Sequence, residues 1–221
     1  MAAPSEFLSS ETDHYRREAM GAFAHEIRTP LTSIRMVIEL AKRLGSGDQS
    51  ILDAELSTML NTSIDDLQRL ADDLQEISRL ERGKSTLAPG PCDLRAAVAA
   101  ARELVTPGIE LIGPNPPSIT GPWDAGHLVR ALAGFAQAAN RIGAGSGAVD
   151  LVFEEEQDGV RLRFASGSFA GEEKPVAADA GFAFFRARQF VLAMGGEVTT
   201  RRRERAVEIA VGLPLKERYT A

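Results

Sequence analysis

The residues of this chain best suited to chemistry lie in one short segment that contains His25, Glu26, Thr29 and Pro30. An exposed imidazole is deprotonated often enough near neutral pH to act as a nucleophile. The Glu26 carboxylate could bond one ring nitrogen and leave the other free to attack. Thr29 falls one helical turn after His25, where its hydroxyl could hold a water molecule. Pro30 removes a backbone hydrogen bond from Glu26, which predicts a kink beside the histidine.

Two long amphipathic helices are predicted around this segment. Apolar residues recur at alternating four- and three-residue steps over 23–41 and again over 56–77, and the Gly- and Ser-rich stretch 45–48 breaks the helical period between them. A short turn favours an antiparallel hairpin, which we predict over residues 10–83. His25 lies about 200° around the first helix from its apolar neighbours, so we expect it to be exposed.

The hairpin cannot cover both of its apolar seams by itself. Two copies that pack into a four-helix bundle would cover them, so we predict a homodimer through the hairpin. The alternative is a bundle that is completed by the C-terminal part of the same chain.

A second domain with mixed helices and strands is predicted after the hairpin. Pro and Gly interrupt both helical and strand periods over 84–93, which we interpret as a linker. Residues 94–216 contain predicted helices and two predicted strand hairpins. Asp93 and Asp124 precede two of these helices and can cap them. The predicted fold class is therefore α+β.

Composition argues against several other functions. The net charge is −6, and all of this acidic excess lies in residues 1–83, which disfavours binding to nucleic acid. The single Cys92 and three scattered histidines give no disulfide framework and no metal-ligand spacing. We see no membrane span and no secretory signal, so we expect a cytoplasmic protein with a flexible start over 1–9 and a tail over 217–221.

The string HEIRTPL at residues 25–31 resembles the phospho-acceptor motif of the bacterial sensor histidine kinases, the H box of their dimerisation and histidine-phosphotransfer domain. The resemblance implies that His25 carries a phosphoryl group and that Glu26 assists its transfer. It also implies that Thr29 positions the water that hydrolyses a partner's phospho-aspartate. The implied partner is the receiver domain of a response regulator, which brings its own Mg²⁺.

The same resemblance implies a docking surface for the receiver on the lower part of the bundle, near the phospho-acceptor histidine. Its candidate residues are Arg28, Ser33 and Met36 on the first helix and Leu74 and Ile77 on the second.

The likeness continues into the second domain, whose order of elements is that of the ATP-binding domain of these kinases, but its nucleotide site is degenerate. The expected magnesium-chelating Asn positions hold Gly134 and Ala138. The expected Asp-x-Gly reads Ser-Gly-Ser at 166–168, and the last glycine box keeps only Gly181. We therefore expect no cofactor bound by this chain and no ATP-driven autophosphorylation.

These features together predict a histidine phosphotransferase of a two-component phosphorelay, which moves a phosphoryl group between receiver aspartates through His25 without using ATP. One alternative is a phosphatase of a phosphorylated response regulator, which uses Thr29 and a water molecule. The other is a non-catalytic pseudokinase scaffold. The intact HEIRT string disfavours the scaffold, because a scaffold needs no such set of functional groups.

Overall fold

Two long helices begin the chain. α1 (Pro4–Leu44) and α2 (Ser50–Glu81) run antiparallel, and an ion pair joins Arg16 near the start of α1 to Glu81 at the end of α2 at 2.8 Å. α1 begins at Pro4, so residues 4–9 of the predicted start over 1–9 belong to the helix. Proline suits the first helical turn, where its missing N–H has no helical partner.

The protein is known here from a computed structural model, which describes residues 4–44, 50–82, 84, 87–143, 145–167, 173–174, 180–203 and 206–216. The predicted break at 45–48 and the predicted tail at 217–221 lie outside these residues.

The hairpin buries one side of each helix. On α2 the predicted seam is confirmed at its buried positions Leu56, Ser63 and Ile77. On α1, however, Leu31 and Ile38 of the predicted seam are 50% and 46% exposed. Two helices have only one shared face, so part of the apolar surface of α1 stays uncovered within one chain.

The second domain consists of a two-stranded ladder, a six-stranded sheet and three helices. In chain order the elements are β1 (Gly90–Asp93), α3 (Leu94–Leu104), β2 (Glu110–Ile112), β3 (Thr120–Trp123), α4 (Ala125–Ile142), β4 (Ala148–Glu156), β5 (Gly159–Ser166), β6 (Glu173–Lys174), α5 (Phe182–Ala193), β7 (Glu197–Arg203) and β8 (Ala206–Pro214). The sheet order is β2-β4-β5-β8-β7-β6, with β2 and β4 parallel and the other pairs antiparallel. The predicted α+β class is confirmed.

Local signals in the sequence place two of the helices. The side chains of Asp93 and Asp124 accept hydrogen bonds from the backbone N–H groups of Arg95 and His127, both at 2.9 Å, and so cap α3 and α4 as predicted. The linker prediction fails over its last four residues, because β1 pairs with β3 there. This ladder has two strands, so Pro91 can sit in it without leaving a central strand short of a donor.

The core lies between the sheet and the helices α4 and α5. α5 buries the aromatic side chains that the helical spacing predicts as core, namely Phe182, Phe184, Phe185 and Phe190. Trp123 is 1% exposed, and its Nε1 donates to the Pro214 carbonyl at 2.8 Å, which ties β3 to the end of β8.

Buried and half-buried polar side chains connect the second domain to α2. Oε1 of Glu76 lies 2.6 Å from Nε2 of His127, and both carboxylate oxygens of Glu76 accept from Arg130 at 3.0 Å. Asp73 pairs with Arg186 of α5 in the same interface. His127, which has no visible partner in the sequence, therefore finds one 51 residues away.

The two acidic groups of this interface are shifted in opposite directions. Burial by itself would raise the pKa of Glu76, but the hydrogen bonds and charge of Arg130 and the hydrogen bond to His127 outweigh it, so the pKa lies below its ordinary value of 4.5. For Asp73 burial outweighs the attraction of Arg186, and its pKa is raised above 3.8. Glu76 is thus the carboxylate that gains from being ionised in the folded protein.

Glu76→Gln should lower the free energy of unfolding by about 1–3 kcal/mol at neutral pH, because Arg130 loses its charged partner. A lowered pKa means that the stabilising effect is complete above about pH 4.5 and is lost as the pH falls through the folded-state pKa. The difference in free energy of unfolding between the wild-type protein and Glu76→Gln should therefore become smaller in acid. Urea unfolding at a series of pH values measures it.

The matched control is Glu55→Gln, at an exposed position of the same helix, which should leave stability unchanged. If Glu76→Gln lowers the free energy of unfolding by the same amount at every pH, the charge of Glu76 does not stabilise the interface.

Candidate functional site

His25 is exposed on α1, as predicted, and borders an open groove of about 360 Å³. The groove is lined by His25, Arg28, Thr29, Thr32, Ser33 and Met36. The helical steps of three and four residues place these side chains on one face. Thr29, Arg28, Ser33 and Met36 therefore lie with the histidine, where the sequence puts them.

The hydroxyl groups in this groove differ in their hydrogen bonding. Thr32 donates to the Arg28 carbonyl at 2.8 Å, and Ser33 donates to the Thr29 carbonyl at 3.3 Å, so both are engaged by the helix. Among the described residues the Thr29 hydroxyl has no such bond. It is the hydroxyl beside His25 that is available to a water molecule or a ligand.

Glu26 faces the second domain rather than the His25 ring. Its Oε1 accepts a hydrogen bond from Nη1 of Arg141 on α4 at 3.0 Å and another from the backbone N–H of Phe182 at 2.9 Å. The ring of Phe23 packs against the ring of Phe182, with 5.1 Å between centroids. Phe23 and Glu26, which precede and follow His25 in the sequence, thus both contact the second domain.

The Glu26 carboxylate caps α5. Gly181 stands at the N-cap of this helix without a side-chain cap of its own, so a side chain of the hairpin supplies the acceptor. Gly181 has φ 83° and ψ 160°, a conformation open to glycine. A Cβ there would come 2.9 Å from Oε1 of Glu26 and would overlap the guanidinium of Arg141. The lack of a side chain at Gly181 therefore leaves room for both Glu26 and Arg141.

Leu74 and Ile77, the predicted docking residues on α2, do not reach the groove beside His25. They line a separate cavity of about 280 Å³ between the hairpin and α5, together with Phe182 and Phe185. Ile77 is 9% exposed and belongs to the core. Assigning these two residues to the docking surface is wrong in this arrangement, because the second domain covers that face of α2.

The residues at the predicted nucleotide position do not fit a magnesium–nucleotide site. A Cβ on Gly134 would meet the Ala183 carbonyl at 2.9 Å, so α4 and α5 are in close contact there. Asn140 accepts from the Gly147 N–H at 2.9 Å, and Ser166 donates to the Ala148 carbonyl at 3.2 Å. The amide at the start of α5 is already bonded to the Glu26 carboxylate. Ser168 lies outside the described residues.

The described residues contain no group of three or more His, Cys, Asp or Glu side chains placed to hold a metal ion. Likewise, no helix in the described part of the chain is long and apolar enough to cross a membrane.

Sequence reasoning missed Arg141 and the Phe182 amide at this site. Arg141 is 115 residues from Glu26 and stands near the C-terminal end of α4, where a basic residue is ordinary. The one local signal was Gly181, a glycine directly before a helix.

Residues 15–83 match the model of the His Kinase A (phospho-acceptor) domain family. The probable sensor histidine kinase TcrY of Mycobacterium tuberculosis is 30% identical over 116 residues, which are 51% of this chain and 24% of TcrY. The chain thus spans about a quarter of the length of that relative.

Solved structures share the fold over both domains. The Acinetobacter baumannii histidine kinase AdeS has a TM-score of 0.63 at 16% identity, over 87% of this chain and 98% of that one. The histidine kinase ThkA, solved in complex with the response regulator protein TrrA, has a TM-score of 0.60 at 19% identity, over 98% of this chain and 69% of that one. Residues 15–83 therefore carry a His Kinase A phospho-acceptor domain, and the chain as a whole has the fold of these solved histidine kinases, with an ATPase-like second domain.

Proposed function

We propose that this chain is a histidine phosphotransferase of a two-component system, which moves a phosphoryl group between receiver-domain aspartates through His25 without using ATP. The observation that carries the proposal is the contrast between its two domains. His25 is exposed in an open groove, while close packing and internal hydrogen bonds occupy the nucleotide position of the ATPase-like domain.

In the proposed reaction a ring nitrogen of His25 attacks the phosphorus of the receiver's aspartyl phosphate. The N–P bond forms while the P–O bond to the aspartyl oxygen breaks, and the carboxylate leaves with the bonding electron pair. The reverse step delivers the group to a second receiver. Mg²⁺ carried by the receiver would neutralise charge on the transferred group. This chain contributes mainly the position of the nucleophile for in-line attack.

We propose that the receiver docks on the groove formed by Arg28, Thr29, Ser33 and Met36 beside His25. The groove combines one cation, hydroxyl groups and an exposed thioether, and Met36 is 49% exposed. Methionine adapts to irregular partner surfaces, and arginine can pair with acidic groups around a phosphorylated aspartate. The complex of ThkA with a response regulator protein supports this class of partner.

Incubation with a radiolabelled phospho-receiver should place acid-labile label on the wild-type chain and remove it from the receiver. His25→Ala should take no label, because the nucleophile is gone. His14→Ala is the matched control and should behave as wild type. Radiolabelled ATP with Mg²⁺ should leave the wild-type chain unlabelled.

Two results would contradict the proposal. Label on His25 from ATP alone would make the chain a working kinase. No label from any phospho-receiver, despite binding, would favour a scaffold.

A phosphatase is the second candidate, and the hydroxyl of Thr29 supports it because it lies beside His25 without a hydrogen bond among the described residues. On this alternative Thr29→Ala should slow hydrolysis of the phospho-receiver by about tenfold or more, since the attacking water is no longer positioned. Thr32→Ala is the control, because its hydroxyl is already bonded to the Arg28 carbonyl. His25→Gln separates the two candidates: a phosphotransferase loses activity, and a phosphatase keeps it.

We also propose that the hairpin forms a homodimer. Outside the His25 groove, large apolar side chains stay exposed on both helices of the single chain, namely Met20, Leu31, Ile38, Leu40, Met59 and Ile64. A second hairpin would cover such a surface in a four-helix bundle.

Ile38→Glu should shift the chain from dimer to monomer in sedimentation at micromolar concentration, because a charge would be buried without a partner. Val152→Glu, on a strand residue of similar exposure, should leave the dimer intact. A dimer that survives Ile38→Glu would place the interface elsewhere.

A further inference from the structure

The ATPase-like domain reaches the phospho-acceptor segment through the Glu26 carboxylate. Two donors from that domain, the Arg141 guanidinium and the Phe182 N–H, meet the same oxygen, Oε1, at 3.0 Å and 2.9 Å. Charge-assisted hydrogen bonds of this kind define the position of a carboxylate more strongly than neutral ones do. The side chain next to His25 in sequence is therefore held from outside the hairpin.

The solvent exposure of the Glu26–Arg141 ion pair limits its contribution to the stability of the fold. The Arg141 side chain is 53% exposed and that of Glu26 is 23% exposed. An ion pair so open to solvent contributes little to the stability of a fold. The less exposed ion pairs between the hairpin and the second domain are those of Asp73 and Glu76 on α2.

The charge of Glu26 matters for phosphoryl transfer. A phosphoryl group that arrives at His25 is itself negative, and a free carboxylate on the adjacent residue would repel it. Arg141 neutralises this carboxylate and, with the Phe182 amide, keeps it directed toward α5. Gly181 leaves the space in which all three groups meet.

We propose that Arg141 is a positioning residue of the phospho-acceptor site, which acts from the ATPase-like domain by holding and neutralising the Glu26 carboxylate beside His25. The inference rests on the proposed phosphotransferase function. It gives the ATPase-like domain a direct part in the reaction without any nucleotide.

The test is a double-mutant cycle on the rate of transfer from a phospho-receiver to His25. Arg141→Met should slow transfer by about threefold to tenfold, and Arg141→Lys should restore most of the rate because the charge remains. In a Glu26→Gln background, Arg141→Met should have no further effect. Arg163→Met, which removes an arginine that pairs with Glu154 in the sheet, is the matched control.

Gly181→Ala is a second variant, because its Cβ would displace the Arg141 guanidinium and crowd Oε1 of Glu26 without removing either side chain. It should slow transfer by a similar factor while circular dichroism shows the helices intact. A merely structural role of Arg141 would not produce the loss of its effect in the Glu26→Gln background.

The outcomes separate the two proposals. A wild-type chain that takes no phosphate overturns the phosphotransferase function and this inference with it. A wild-type chain that takes phosphate overturns the inference alone if Arg141→Met behaves like Arg163→Met. Equal slowing in both Glu26 backgrounds, or no rescue by lysine, also overturns the inference alone.

Discussion

Pairing of opposite charges between the hairpin and the ATPase-like domain is the constraint on which the rest of the arrangement depends. Carboxylates of both long helices meet arginines of the second domain, in the pairs Glu26–Arg141, Asp73–Arg186 and Glu76–Arg130. A buried charge that lost its partner would be costly, so the α2 pairs hold the domain in one place. The acidic excess of residues 1–83 thus has a structural use inside the molecule, and the groove beside His25 remains open.

Features of the fold that depend on local signals are predictable from the sequence. The two helix caps at Asp93 and Asp124, the hairpins of the sheet and the aromatic face of α5 follow from residue type and spacing. β1 does not, because Pro and Gly suggest a linker and its pairing partner is about thirty residues away in β3. The burial of His127 likewise depends on Glu76, which lies in a different domain.

The candidate site likewise has some features that the sequence predicts and others that it does not. His25 and Thr29 share a face because of helical geometry alone, and the sequence is sufficient to place them together. The surroundings of Glu26 and of Ile77 depend on where the second domain sits, which no local pattern encodes. Sequence reasoning therefore predicts which residues share the exposed helix face of His25 and misses the groups that another domain brings to this segment.

The close approach of α4 and α5 at Gly134 limits which side chains this position accepts. An asparagine at this position would place its Cβ 2.9 Å from the Ala183 carbonyl and would need room for an amide beyond it. α4 or α5 would have to shift, and the N-terminus of α5 carries the amide that donates to the Glu26 carboxylate. A larger side chain at Gly134 would therefore disturb both the packing of these two helices and the contact between the second domain and the hairpin.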